Sequence, residues 1–266
     1  MARVAIPENH DMALEIAAGT YANYTAVNKF GRAPAGGQTT ATDVWDRANA
    51  TPTQQIWVAP TQARVHAIVS TDDTDGKTGS PNAVAARTLR VYGLTSWGAA
   101  EVSEDITLTG TDAVNTTNSY VIIHRMKVLT HGATSINAGI ISATAATDAS
   151  VTAAIIIGQG QTQMAIYGVP STKTAYVTNY YGSAIKAAAA CRGSVELFVN
   201  ESPDVEEINF IVKHTNGWDT TGTSYIRHDF RPYFKIAGPA IIKIQAVSSA
   251  ADTDFSAGFD LVLVDN

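Results

Sequence analysis

Six histidines, one cysteine and a short acidic run are the residues of this chain whose types could do chemistry. The histidines are His10, His66, His124, His131, His214 and His228, side chains that bind metals and exchange protons near neutral pH. No two stand four apart, as a helical metal site requires. In "RHDF", His228 and Asp229 are strand neighbours whose side chains point to opposite faces, so they cannot form a catalytic dyad. The run "TDDTDGKTGS" at 71–80 places Asp73, Asp75 and Gly76 in the register of a calcium loop. Thr71 and Asn82 then fall where that loop needs its first ligand and its bidentate glutamate, so a solvated loop is expected. The "GKT" inside it lacks the upstream glycine and following helix of a phosphate-binding loop. Cys191, being alone, allows neither an internal disulfide nor a cysteine-spaced metal cluster, and is expected as a small buried residue beside a strand. No G-x-S-x-G elbow is present, and "GQGQTQ" at 158–163 lacks the third glycine of a dinucleotide fingerprint. The sequence therefore predicts no catalytic residues, no metal and no cofactor: the protein is not expected to be an enzyme.

Recognition is the remaining chemistry. Trp97, Trp218, Tyr180 and Tyr181 fall in predicted turns or strand edges. An aromatic face there could stack on a sugar ring, pack on its own domain or sit in a protein interface.

The elements that would position these residues are strands. Of 266 residues, 45% are hydrophobic and only 16% are charged, against roughly 25% charged in an ordinary soluble domain. Thr, Ser, Asn and Gln take over the solvated surface and suit strands and turns better than helix interiors. A net charge of −6 with scattered Lys and Arg lacks the basic footprint of a nucleic-acid binder. The opening "MARVAIPENHDMALEIAAG" has no secretory core or cleavage site, and no run approaches the roughly 18 apolar residues of a membrane helix, so synthesis in the cytoplasm and no membrane partner are expected.

In "TLRVYGL", Leu89 and Val91 share one face while Arg90 and Tyr92 take the other; "EDITLTG" sets Ile106 and Leu108 against Thr107 and Thr109. That period of two marks two strands with one buried face each, joined by "GLTSWGAAE" with Gly93 and Gly98 as turn residues. Blocks of this kind recur. Ile56, Trp57 and Pro60 match Ile166, Tyr167 and Pro170 at a common offset of 110, and "RTLRVYG", "NSYVIIHR" and "AGIISATAATD" are followed in the same order by "GSVELFV", "TSYIRHDF" and "AIIKIQAVSSAADTD". Short strands between Gly, Pro, Asn and Asp turns predict an all-β protein of two tandem, duplicated β-sandwich domains, jelly-roll or Greek-key-like. The expected boundaries are 1–50 for an extended N-terminal arm that docks on its own sandwich or on another subunit, with a disordered leader as the alternative, 51–153 for the first sandwich and 154–266 for the second. Phe30 and Trp45 are the arm's anchors, and deleting residues 1–48 is expected to leave both sandwiches folded. Asp11 can cap a short helix in "DMALEIAAGTY", and "SAIKAAAACRG" can form a short helix or a loop.

"NKFGRAP", "TTATDVWD", "ARTLRVYGL", "INAGIISAT", "GQTQMAIYGVPSTKTAYV", "SYIRHDF" and the ending "SAGFDLVLVD" resemble a family of tailed-bacteriophage virion structural proteins of the minor capsid or decoration type. The resemblance extends over nearly the whole chain and rests on ordered short blocks, with no active-site residues to carry over. It implies a structural component of the virion whose partners are the major capsid protein or other virion proteins, present as a homo-oligomer, a trimer by analogy with capsid decoration proteins. A tail, collar or baseplate subunit, including one that binds host surface carbohydrate, stays open beside the decoration reading.

Overall fold

A computed structural model of the chain describes residues 11–34, 40–47, 56–76, 84–205 and 209–266, the side chains of 187–190 and 220–223 aside. Among these residues the chain is all-β, with one helix, α1 (Met12–Ala17), which Asp11 caps by accepting from the N–H groups of Ala13 and Leu14. The strands are β1 (Tyr24–Ala33), β2 (Thr42–Asp43), β3 (His66–Ser70), β4 (Ala86–Leu94), β5 (Val102–Thr107), β6 (Val114–Asn115) and β7 (Ile122–His131). They continue as β8 (Ile141–Ala145), β9 (Val151–Ile155), β10 (Ile166–Val169), β11 (Lys173–Asn200), β12 (Ile211–Ala237), β13 (Ala240–Ser248) and β14 (Asp254–Asp265). Among the described residues no helix is long and apolar enough to cross a membrane.

Two small sheets, ordered β6-β3-β8-β9 and β5-β4-β7, bury their apolar faces in one cluster. Leu89 and Val91 of β4 and Ile106 of β5 are buried there as the alternation requires, and β4 pairs β5 in register from Thr88↔Thr107 to Gly93↔Val102. Gly93 is not a turn residue. It lies inside β4, where an added Cβ would stand 2.2 Å from the Ile122 carbonyl oxygen, so only glycine permits the approach.

The third sheet has seven strands and is organised by one long hairpin. β12 pairs β11 along its length, while the other edge of β11 is shared: β14 lies against Lys173–Ile185 and β13 against Gly193–Asn200. β1 continues the sheet beyond β14 through ten residue pairs, and β10 and β2 continue it beyond β13. Between the halves, residues 187–190 of β11 stand opposite Thr221 alone, since Lys186 pairs Gly222 and Cys191 pairs Thr220. The alanine run is therefore strand backbone at a bulge, not a helix. Here the sheet folds over: His214 and His228 would be about 45 Å apart on a straight strand, yet their rings stack at 4.0 Å. The two halves thus face each other around a second cluster that holds Val177, Tyr180, Val195, Leu197, Ile244, Phe255 and Phe259.

The aligned blocks do not share a pairing scheme. β4 pairs β5 and β7, whereas its aligned stretch at 193–199 pairs β12 and β13. Alternation specifies which face of a strand is buried but not which neighbour it takes. β9, which spans the boundary expected at 153/154, pairs β8.

Of the segment expected as an arm, residues 1–10, 35–39 and 48–50 lie outside the described residues. Within the rest, β1 and β2 are paired into the seven-stranded sheet, while α1 before them is largely exposed. An added Cβ on Gly31 would meet the Val44 carbonyl oxygen at 2.2 Å, so β1 runs hard against the β2 region. Trp45 is fully buried in the first cluster, while Phe30 is partly exposed. Asp43 is buried and accepts from the Trp57 N–H, Lys243 and Gln245.

Candidate functional site

Polar groups concentrate where β1 crosses the first pair of sheets. The phase of β1 that faces inward reads Val27, Lys29, Gly31, Ala33, and that of β7 reads Ile122, His124, Met126, Val128. Each puts one ionisable side chain into an apolar stripe, a departure visible in the sequence once the strand phase is known. Lys29 and His124 meet beside Glu101, Arg125 and Tyr167 around a cavity of about 520 Å³.

The Lys29 ammonium donates to the His124 carbonyl oxygen. His124 Nε2 lies 2.6 Å from a Glu101 carboxylate oxygen, and the Tyr167 hydroxyl also bonds Glu101. The imidazole and the Tyr167 ring are 4.5 Å apart. Burial lowers the His124 pKa, with Lys29 and Arg125 adding to the effect and Glu101 opposing it. A neutral imidazole facing a carboxylate through Nε2 carries its hydrogen there, which leaves Nδ1 as a buried acceptor without a partner. Burial also pushes Glu101 up, but His124, Lys29 and Tyr167 outweigh it and hold the carboxyl below its usual range. Lys29 is pushed down from 10.5 to about 7, first by burial and then by Arg125, against the pull of Glu101.

A base with a lowered folded-state pKa is destabilising while protonated. Between about pH 7 and 10.5 the unfolded chain holds a proton that the folded chain has released, so stability rises with pH across that window. Lys29→Met should remove that rise and stabilise the protein by about 1–3 kcal/mol below pH 7, where the wild type buries a charge. Urea unfolding at pH 6 and pH 9 measures both; an unchanged pH slope in the variant would show that Lys29 titrates normally.

The aspartates of the acidic run have structural partners. Asp75 is fully buried and accepts from Ser70 Oγ and from the N–H groups of Ala86, Ala138 and Gly139. Asp73 accepts from Thr111, and Asp72 from Thr74. These carboxylates cap the chain instead of lining a calcium site, and residues 77–83 of that stretch lie outside the described residues. Among the described residues no three His, Cys, Asp or Glu side chains gather as a metal site. Cys191 is buried in β11.

The four aromatics singled out by sequence do not form one surface. Tyr180 is fully buried, its hydroxyl 2.7 Å from His214 Nδ1, so its ring is closed to a sugar. Tyr181, on the opposite face of β11, is half-buried over Gly258. Trp97 is half-buried against the first cluster, and its carbonyl accepts from the Ser171 N–H. Trp218 packs edge-on against Phe255 in the second cluster at the floor of a shallow cleft, with its indole N–H unpaired.

The hairpin presents what those residues do not. β12 takes β11 as its one strand neighbour, so its other edge is unpaired among the described residues. Tyr225 and Tyr233, 64% and 59% exposed, project from the second half of β12, with exposed Ile185 of β11 near Tyr225; Ile211 and Val212 are exposed at the start of β12, on the other half of the folded hairpin. The edge is not a flat template. Residues 230–233 bulge opposite Thr178, Pro232 has no N–H to offer, and Arg227 pairs Asp229 across the surface.

No family model matches the chain, and no curated protein matches it. A chain in the structure of infectious bursal disease virus, Gt strain, is similar over 91% of this chain and 73% of that one, at 11% identity and a TM-score of 0.23. A score that low defines no common fold, and no inference rests on the match.

Proposed function

We propose that this protein is a non-enzymatic structural subunit of a tailed-bacteriophage virion, a homo-oligomeric decoration or cement protein that binds the outer capsid shell and stabilises it. The observation that carries this reading is the β11–β12 hairpin, whose 27-residue outer strand has, among the described residues, an unpaired edge and exposed aromatic side chains at Tyr225 and Tyr233. Exposed aromatics of this kind are what interface cores are made from. The bulge, the Arg227–Asp229 pair and Pro232 discourage indiscriminate edge pairing, which suits docking of side chains onto one defined partner. The ordered sequence blocks quoted above and the low charge support the same reading. Binding only the assembled shell would stabilise it by linkage.

A second reading, a tail, collar or baseplate subunit that holds host carbohydrate, is favoured by the cleft over Trp218. Arg192 and Asp219 flank that indole, and its N–H has no partner. Tyr225→Ala with Tyr233→Ala separates the two. The double variant should fold as the wild type does, because both rings are solvent-exposed, yet lose at least tenfold in binding to shells that lack the protein. Undiminished binding to shells, or glycan binding lost on Trp218→Ala, would reject the decoration reading.

A further inference from the structure

The junction cavity holds an imbalance that its own residues do not resolve. Lys29 and Arg125 both line it, as does Glu101, which already accepts from His124 and Tyr167. Neither cation makes an ion pair among the described residues. The Lys29 ammonium has a neutral carbonyl as its hydrogen-bond partner, and Arg125 reaches Gln161 and lies over the Tyr92 ring. Lys173, at the rim, is paired with Asp265 and so is spoken for. Lys29 is buried and Arg125 is exposed, and a buried cation is stable when an anion meets it.

The walls say what else the occupant carries. Val27, Phe30, Tyr92 and Leu263 add apolar lining to the cavity, Tyr92 directly beneath Arg125. Its volume of about 520 Å³ falls within the roughly 300–1,000 Å³ of small-molecule sites, which favour junctions between packed units. His124 Nδ1, buried and without a partner on a residue that lines the cavity, is an acceptor that a ligand donor or a bridging water could satisfy.

We propose that this cavity is a binding site for a small organic anion, a carboxylate on an apolar body, with Lys29 and Arg125 taking the carboxylate and Phe30, Tyr92 and Leu263 enclosing the body. The site is independent of the virion role, since it lies between β1 and the first sheets and not on the β12 edge.

The test uses 3-phenylpropionate as probe, with 3-phenylpropanol and acetate as controls, titrated calorimetrically into the full chain at pH 6.5. Phenylpropionate should bind one site per chain, at least tenfold more tightly than either control. Arg125→Gln changes an exposed side chain and should keep the wild-type melting temperature while weakening the probe at least tenfold; Lys29→Met should weaken it as much. Equal binding of the alcohol would reduce the site to an apolar hole, and equal binding of acetate would remove the apolar requirement. Either result, undiminished binding by both variants, or no binding by the wild type overturns the proposal.

Discussion

Asp75→Ala is expected to lower the unfolding free energy by about 4–6 kcal/mol, since a buried donor left without its acceptor costs roughly 1–3 kcal/mol. The carboxylate accepts from three backbone N–H groups, those of Ala86, Ala138 and Gly139, at 2.8–3.0 Å, and from Ser70 Oγ. Alanine strands all three amides in a site with no exposure. The loss is also architectural. Ala86 opens β4 in one sheet and Gly139 precedes β8 in the other, so one side chain holds the two sheets together at that end. Asp75→Asn keeps the shape but turns an NH₂ toward donors, and should fall between wild type and alanine. The neighbouring Asp73→Ala, at an exposed site, should cost less than about 1 kcal/mol. Urea midpoints of the three variants decide it; equal midpoints for the Asp73 and Asp75 variants would mean the carboxylate is not the hub.

Deleting residues 1–48 should abolish cooperative folding, contrary to the expectation that an arm at the N-terminus is dispensable. The deletion removes β1 and its ten pairs to β14, leaving the buried face of β14 at an open edge. It also removes Asp43, whose carboxylate lies 2.9 Å from the buried Lys243 ammonium, and an uncompensated buried charge costs about 3–5 kcal/mol. Trp45 is lost from the first cluster as well. Trp45→Ala alone should cost about 3–5 kcal/mol and yields a variant that still folds and can be measured. Thermal melting followed by circular dichroism reads both. A truncated chain that melts cooperatively within a few degrees of wild type would show that β1 is an accessory strand.

What could be read from the sequence was local. Leu89 with Val91 and Ile106 with Leu108 defined one-sided strands, and those strands are neighbours as read, because a short connection leaves few other pairings. Asp11 announced its helix by its side-chain chemistry. What could not be read was long-range. Nothing in "YTAVNKFGRA" names β14, more than two hundred residues away, as its partner, since alternation fixes a face and not a neighbour. Trp218 and Tyr180 sit among turn-rich or polar residues and still pack inward, because the hairpin folds over at the alanine bulge and closes around them. Lys29 and His124 were not legible as a pair, because the inward phase of β1 is known only from its pairing with β14, and Glu101 and Tyr167 join them only through the tertiary fold.

The central claim, that this chain is a subunit of an assembled particle, is tested most directly by counting it. Quantitative mass spectrometry of purified virions gives its copy number relative to the major capsid protein. The decoration reading predicts a ratio near one, or a simple fraction repeated over the shell. A handful of copies would move the protein to a vertex or the tail, and absence from purified particles would contradict a structural role in the virion.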